Sequence, residues 1–170
     1  MTLDIEALNR CSEAEFIEHL GGIFEHSPWV PAAVIGQRPF ASRADLHQSM
    51  CAAVRSAAAT QRLELLRAHP ELAGKQARQG RLTAESTREQ AGAGLDTCSA
   101  DELDKIARLN RAYRETFEFP FIIAVTGLDK FQIIAAMEQR LGNDRANEFE
   151  TALGEVEKIA RIRIDALIDG

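Results

Sequence analysis

FPFIIAV, residues 119–125, is the only run in this chain that reads as a β-strand. It is apolar and mixes aromatic with β-branched residues, as strands do. No second β-rich run exists to pair with it, and Pro120 counts against a central strand. The segment is therefore expected to be an extended or buried loop between helices, and the fold to be all-α. Outside it the apolar spacing is helical almost throughout. Ser12, Ser42 and Ser99 each stand three residues before an acid (Glu15, Asp45, Glu102), the pattern of an N-cap with an acidic third helical residue. Behind these starts, Phe16, Leu20, Ile23 and Phe24 share one face, Leu46, Met50 and Val54 a second, and Leu103, Ile106, Leu109 and Asn110 a third. A further helix is expected through Phe131, Ile134 and Met137, stopping at Gly142 as a left-handed terminator. The last is expected over 145–167, with Phe149, Leu153, Val156, Ile159 and Ile162 inward. The pattern predicts one all-helical domain, 1–170, of about eight or nine helices.

Composition narrows the function classes. A chain of 170 residues, 45% hydrophobic and 27% charged, is a soluble globular protein with one sizeable core. A net charge of −6 argues against nucleic acid as the main partner. Cys11, Cys51 and Cys98 are odd in number and form no CxxC, which suits reduced thiols rather than a disulfide framework. No apolar run approaches membrane-spanning length, and no secretory leader or carboxy-terminal peroxisomal address is visible, so a cytoplasmic location is expected. HExxH, GxGxxG, P-loop and GxSxG patterns are absent, and the four histidines lack paired ligand spacing, so neither a metal nor a cofactor is expected.

The candidate chemistry lies in residues 67–95, RAHPELAGKQARQGRLTAESTREQAGAGL. Pro70 disfavours helix at His69, which places that imidazole near the C-terminus of a helix over 60–68, where it either serves chemistry or caps free carbonyls. Thr83 can cap a short helix that puts Ser86, Glu89 and Gln90 on one side. That helix has no large apolar residue, so it is either a solvated excursion or the polar wall of a site. The backbone of 119–125 lacks a helix's own hydrogen bonds and must find partners in neighbouring side chains, water or a bound polar heterocycle. Arg161 and Arg163, two apart on a helix, point in different directions, and one can face inward to a carboxylate or an anionic ligand.

Taken together, HPELAG (69–74), the S-x-x-E-Q run of Ser86–Gln90 with its closing Gly94-Leu95, LNRAYRETFEFPFIIAV (109–125) and IARIRIDAL (159–167) resemble one family over nearly the whole chain. It is the 2-oxo-4-hydroxy-4-carboxy-5-ureidoimidazoline (OHCU) decarboxylase family of urate degradation. The combination, rather than any single motif, is specific. The resemblance implies a cofactor-free, all-helical, usually dimeric carboxy-lyase that forms (S)-allantoin after urate oxidase and hydroxyisourate hydrolase have acted. It implies His69 and Glu89 as catalytic residues. It implies substrate binding by Pro70, by Ser86, Thr87, Arg88, Glu89 and Gln90, by the backbone of Phe121, Ile122, Ile123, Ala124 and Val125, and by Arg163. Two other classes fit the same residues: a helical hydrolase of ureides with His69 and Glu89 as acid and base, and a non-catalytic helical binding module.

Overall fold

Polar caps start the helices where the sequence places them. In the computed structural model, which describes residues 3–170, Ser12 and Ser99 close full capping boxes with Glu15 and Glu102. Ser42 caps its helix by accepting from the Asp45 N–H, while the Asp45 carboxylate accepts from Ala41 instead of closing a box. The shorter Asp side chain reaches a different amide. The α-helices are α1 (Ile5–Arg10), α2 (Glu13–Leu20), α3 (Trp29–Val34), α4 (Arg43–Ser56), α5 (Ala59–Arg67), α6 (Lys75–Arg78), α7 (Ala84–Gly92), α8 (Ala100–Phe117), α9 (Lys130–Arg140) and α10 (Arg145–Leu167). The fold is all-α. The ten α-helices of the described residues include short ones such as α3 and α6, which hold too few residues to show a period. The described residues contain no β-strand, only an isolated bridge between Asp4 and Asp169. Phe119–Val125 lies outside any helix or strand, as its sequence leads one to expect.

The chain forms two compact units. The first comprises the chain to Ala68 together with Glu157–Gly170, and the second His69–Val156, with the division falling inside α10. In the first unit, Phe16, Leu20, Phe24, Leu46, Met50, Val54 and Ile164 are buried. Phe16 stacks on Phe40 with ring centroids 6.1 Å apart. In the second unit the core is aromatic: Tyr113 packs against Phe117 (4.6 Å), Phe119 (5.8 Å) and Phe121 (5.3 Å), and Phe119 meets Phe149 (6.0 Å). The rings of the extended segment thus hold it against α8.

Three sequence expectations need correction. Phe131 is 66% exposed, with the Lys130 ammonium 5.5 Å from its ring centroid. It lies about 200° around the helix from Ile133, which heads the buried stripe of α9. Ile162 is 36% exposed, because the inward stripe of α10 passes through Ile159, Ala160, Arg163 and Ile164. Gly142 is not left-handed. The positive-φ positions include Gly94 after α7 and Glu118, which ends α8 at φ 66°. No helix among the described residues is long and apolar enough to cross a membrane.

Candidate active site

The loop His69–Gly74 of the second unit is tied to two neighbouring helices. α5 ends before it, the Ala68 N–H closing on the Glu64 carbonyl at 2.9 Å. Proline at 70 then prevents helix at His69. His69 is buried (7% exposed), as are Leu72, Ala73 and Gly74. Two side chains from neighbouring helices pin the loop backbone. Gln90 Oε1 of α7 accepts from the Ala73 N–H at 3.0 Å, and Asn110 Nδ2 of α8 donates to the Leu72 carbonyl at 3.0 Å. Ala73 is held at φ 48°, a conformation that costs a non-glycine residue about 1–2 kcal/mol. At Gly74 an added Cβ would approach the Glu71 Cβ to 2.8 Å, so the turn needs glycine for space. Glu71 in turn pairs with Arg114 at 3.2 Å.

α7 is capped by Thr83, whose hydroxyl accepts from the Ser86 N–H at 3.2 Å. Ser86 and Gln90 are each only 5% exposed, so the helix is not a solvated excursion. With no large apolar residue, it buries polar groups instead. Glu89 is half-buried, while Thr87 and Arg88 are exposed. The Thr87 hydroxyl donates to the Thr83 carbonyl at 2.8 Å.

Phe121, Ile122 and Val125 are buried, and Ile123 and Ala124 half-buried. One partner of this segment's backbone is an arginine: Arg140 Nη1 donates to the Ile122 carbonyl at 2.6 Å. The same guanidinium lies 4.4 Å from the Phe121 ring centroid and pairs at 2.5 Å with the fully buried Glu148. Tyr113 donates to Glu148 Oε1 at 2.7 Å, and Asn143 to Oε2 at 3.0 Å. Burial, and then the bond to Glu148, pushes the Tyr113 phenol well above its ordinary range, so it stays a donor.

Arg163 belongs to the first unit. Its Nη1 donates to Glu25 Oε2 at 2.8 Å and to the Gly22 carbonyl at 2.9 Å, with the arginine 6% and the glutamate 1% exposed. Arg161 bonds Asp165 at 2.9 Å, and both side chains are about two-fifths exposed. Of the two arginines, 163 is the inward one.

Two cavities flank the pinned loop within the second unit, and Ala73 lines both. One, of about 280 Å³, includes Leu82, Thr87, Gln90 and Leu103 in its wall; the other, of about 370 Å³, includes Glu71, Asn110, Arg111 and Arg114. His69, Ser86 and Glu89 line neither. Among the described residues, no three His, Cys, Asp or Glu side chains are grouped as a metal ion would require, and all three cysteines are free. Sequence reasoning missed the supports: Asn110 as a loop clamp, Arg140 and Glu148 behind the extended segment, and Glu25 behind Arg163. Asn110 carried a faint signal, a polar residue on an otherwise apolar face of α8.

Comparison with known proteins adds to this geometry. Residues 9–165 match the family model described as OHCU decarboxylase. The chain is 41% identical over 162 residues to 2-oxo-4-hydroxy-4-carboxy-5-ureidoimidazoline decarboxylase of Haloferax volcanii, covering 95% of this chain and 94% of the relative. It is 40% identical over 165 residues to the protein of the same name from Halalkalicoccus jeotgali, covering 97% and 92%. Among solved structures it is similar to (S)-allantoin synthase, with a TM-score of 0.80 and 32% identity over 98% of this chain; that covers 55% of the solved chain.

Proposed function

This chain belongs to the OHCU decarboxylase family, a family of carboxy-lyases, and on that premise we propose that it converts OHCU to (S)-allantoin without a cofactor, in urate degradation. The observation that carries the reading is the pinned loop: a buried histidine in a backbone fixed by a glutamine from the same polar run that the family resemblance assigns to substrate. A buried imidazole in a loop tied to the polar helix suits proton transfer to a bound heterocycle.

The substrate explains why no cofactor is needed. The carbon that bears its carboxylate adjoins a ring C=N bond. As the C–C bond to the carboxylate breaks, carbon dioxide leaves and the electron pair moves into that conjugated system, with nitrogen as the sink. The imine nitrogen takes up a proton, and a second proton is delivered to one face of the former imine carbon, which bears the ureido group. The hydroxyl on the decarboxylated carbon loses its own proton, so that this carbon becomes the ring carbonyl. In this reading His69 bonds the hydroxyl and carboxylate region and handles the proton, and Glu89 orients the ureido and ring N–H groups. Gln90 and Ser86 fix the heterocycle beside Pro70, and the backbone of Phe121, Ile122, Ile123, Ala124 and Val125 supplies hydrogen bonds. Thr87 and Arg88 belong to the same run with solvent-facing side chains and carry less weight. In the first unit, Arg163 is a substrate-binding candidate on the family resemblance alone. The same resemblance supports one catalytic domain over the whole chain, a homodimer and a cytoplasmic location.

The test is a coupled assay. Urate oxidase and hydroxyisourate hydrolase generate OHCU in situ, this protein is added, and the allantoin product is followed by circular dichroism. A rapidly growing (S)-allantoin signal, lost in His69→Ala, is the expected result. A trace that only follows spontaneous decay to racemate refutes the reading.

A further inference from the structure

The Arg140–Glu148 pair is the most heavily buried charge cluster of the second unit, and the reaction chemistry above does not use it. Glu148 is 0% exposed and accepts from Arg140 Nε at 2.5 Å, from the Tyr113 hydroxyl at 2.7 Å and from Asn143 Nδ2 at 3.0 Å. Stability alone is a poor account of it, since a buried ion pair is often no better than well-packed apolar residues of the same volume. The aromatic packing of Phe119 and Phe121 on Tyr113 already holds the extended segment in place.

Apolar packing cannot, however, set the rotation of a peptide plane that has no helical or sheet partner. Arg140 does this directly. Its Nη1 takes the Ile122 carbonyl at 2.6 Å while Nε donates to Glu148 Oε1 at 2.5 Å, so the guanidinium is held at two of its nitrogens. The Ile122 C=O and the Ile123 N–H belong to one planar trans peptide and point in opposite directions. Fixing the carbonyl on the buried arginine therefore turns the Ile123 N–H the other way. A cation on the carbonyl also polarises the peptide and makes its N–H a stronger donor.

Resting on the decarboxylase reading, we propose that Arg140, locked by Glu148, is a positioning residue that aims the Ile123 N–H at an acceptor oxygen of the substrate. The oxygen is that of a carboxylate, or of the ring as it gains negative charge. Arg140 acts through the peptide and does not touch the substrate itself.

The test uses the full chain and two readouts: kcat and KM in the coupled allantoin assay, and the amide resonance of Ile123 in a ¹⁵N–¹H spectrum. The main variant is the double substitution Arg140→Met with Glu148→Leu, which removes both charges and leaves neither orphaned. It is expected to fold, to lose kcat on the order of 100-fold with a smaller change in KM, and to displace the Ile123 resonance. Where the double variant fails to fold, Arg140→Lys serves: it keeps a charge beside Glu148 but loses the fork, and a lowered kcat with a displaced Ile123 resonance is again expected. A folded variant with wild-type kcat, or with an unmoved Ile123 resonance, overturns the proposal. Lys105→Ala, which breaks a half-exposed pair with Glu138, is the control expected to leave both readouts unchanged. An inactive wild-type protein overturns the decarboxylase reading and this inference together; active wild type with indifferent variants overturns this inference alone.

Discussion

Gln90 Oε1 accepts the Ala73 N–H at 3.0 Å, and both residues are buried. This bond joins the polar helix to the histidine loop and holds Ala73 in its left-handed conformation. Gln90→Leu leaves the Ala73 N–H without its partner, and a buried orphan of this kind costs about 1–3 kcal/mol. We expect a lower urea midpoint with an unchanged m-value, and allantoin formation reduced beyond what the stability loss explains. Thr87→Ala, at an exposed position of the same helix, is expected to change stability by at most about 0.5 kcal/mol. Equal effects of the two would show that the Gln90–Ala73 bond does not hold the loop.

The helices were legible because caps and periodicity are local. Ser12, Ser99 and Thr83 signal their helix starts within a few residues, and FPFIIAV announces by its isolation that it is no strand. The supports of the site were not legible because their partners are far apart in sequence. Asn110 meets the Leu72 carbonyl across 38 positions and Arg163 meets Glu25 across 138. A charged residue within a helical stripe, such as Arg140 or Arg163, looks the same whether it faces solvent or a buried carboxylate. Ile162 shows the converse: an apolar residue between two arginines reads as inward, yet Arg163 holds the inward position because Glu25 neutralises it.

That neutralisation makes Glu25 a sensitive position. Glu25→Ala leaves the Arg163 guanidinium buried without its carboxylate, and breaking one side of such a pair costs about 3–5 kcal/mol. Arg161→Ala removes a half-exposed pair with Asp165, worth about 0–1 kcal/mol. Urea unfolding of the two variants separates them. A small loss in Glu25→Ala would mean that Arg163 finds another partner readily.

Acid should act on the second unit through Glu102. The backbone N–H of Ser99, and then Lys130 at 3.0 Å, hold this carboxyl down from the ordinary 4.5 to about 2. A carboxyl whose folded pKa lies below its unfolded value binds fewer protons when folded, so its contribution is present above the unfolded pKa. That contribution fades as pH falls from about 4.5 towards about 2. Glu102→Gln is therefore expected to flatten the acid limb of the stability curve in this window and to leave its slope near neutrality unchanged. Urea midpoints collected across the window check this, and an unchanged acid limb would show that the capping carboxylate is not coupled to folding.

The chemistry itself turns on His69 and Glu89. A positioned acid or base contributes about 10²- to 10⁴-fold, so His69→Asn should lose turnover in that range. Asparagine keeps a polar side chain at this buried position, and the helical circular dichroism is expected to be unchanged. Glu89→Gln keeps shape and loses charge at a half-buried position on the same side of α7 as Ser86. It should damage turnover more than Glu85→Gln, made four residues earlier in the same helix, where the resemblance assigns no contact. Measuring kcat and KM for all three in the coupled allantoin assay decides the roles. Near-wild-type stereospecific turnover in His69→Asn would remove the imidazole from proton transfer, and equal, negligible effects of the two glutamate variants would remove Glu89 from the site.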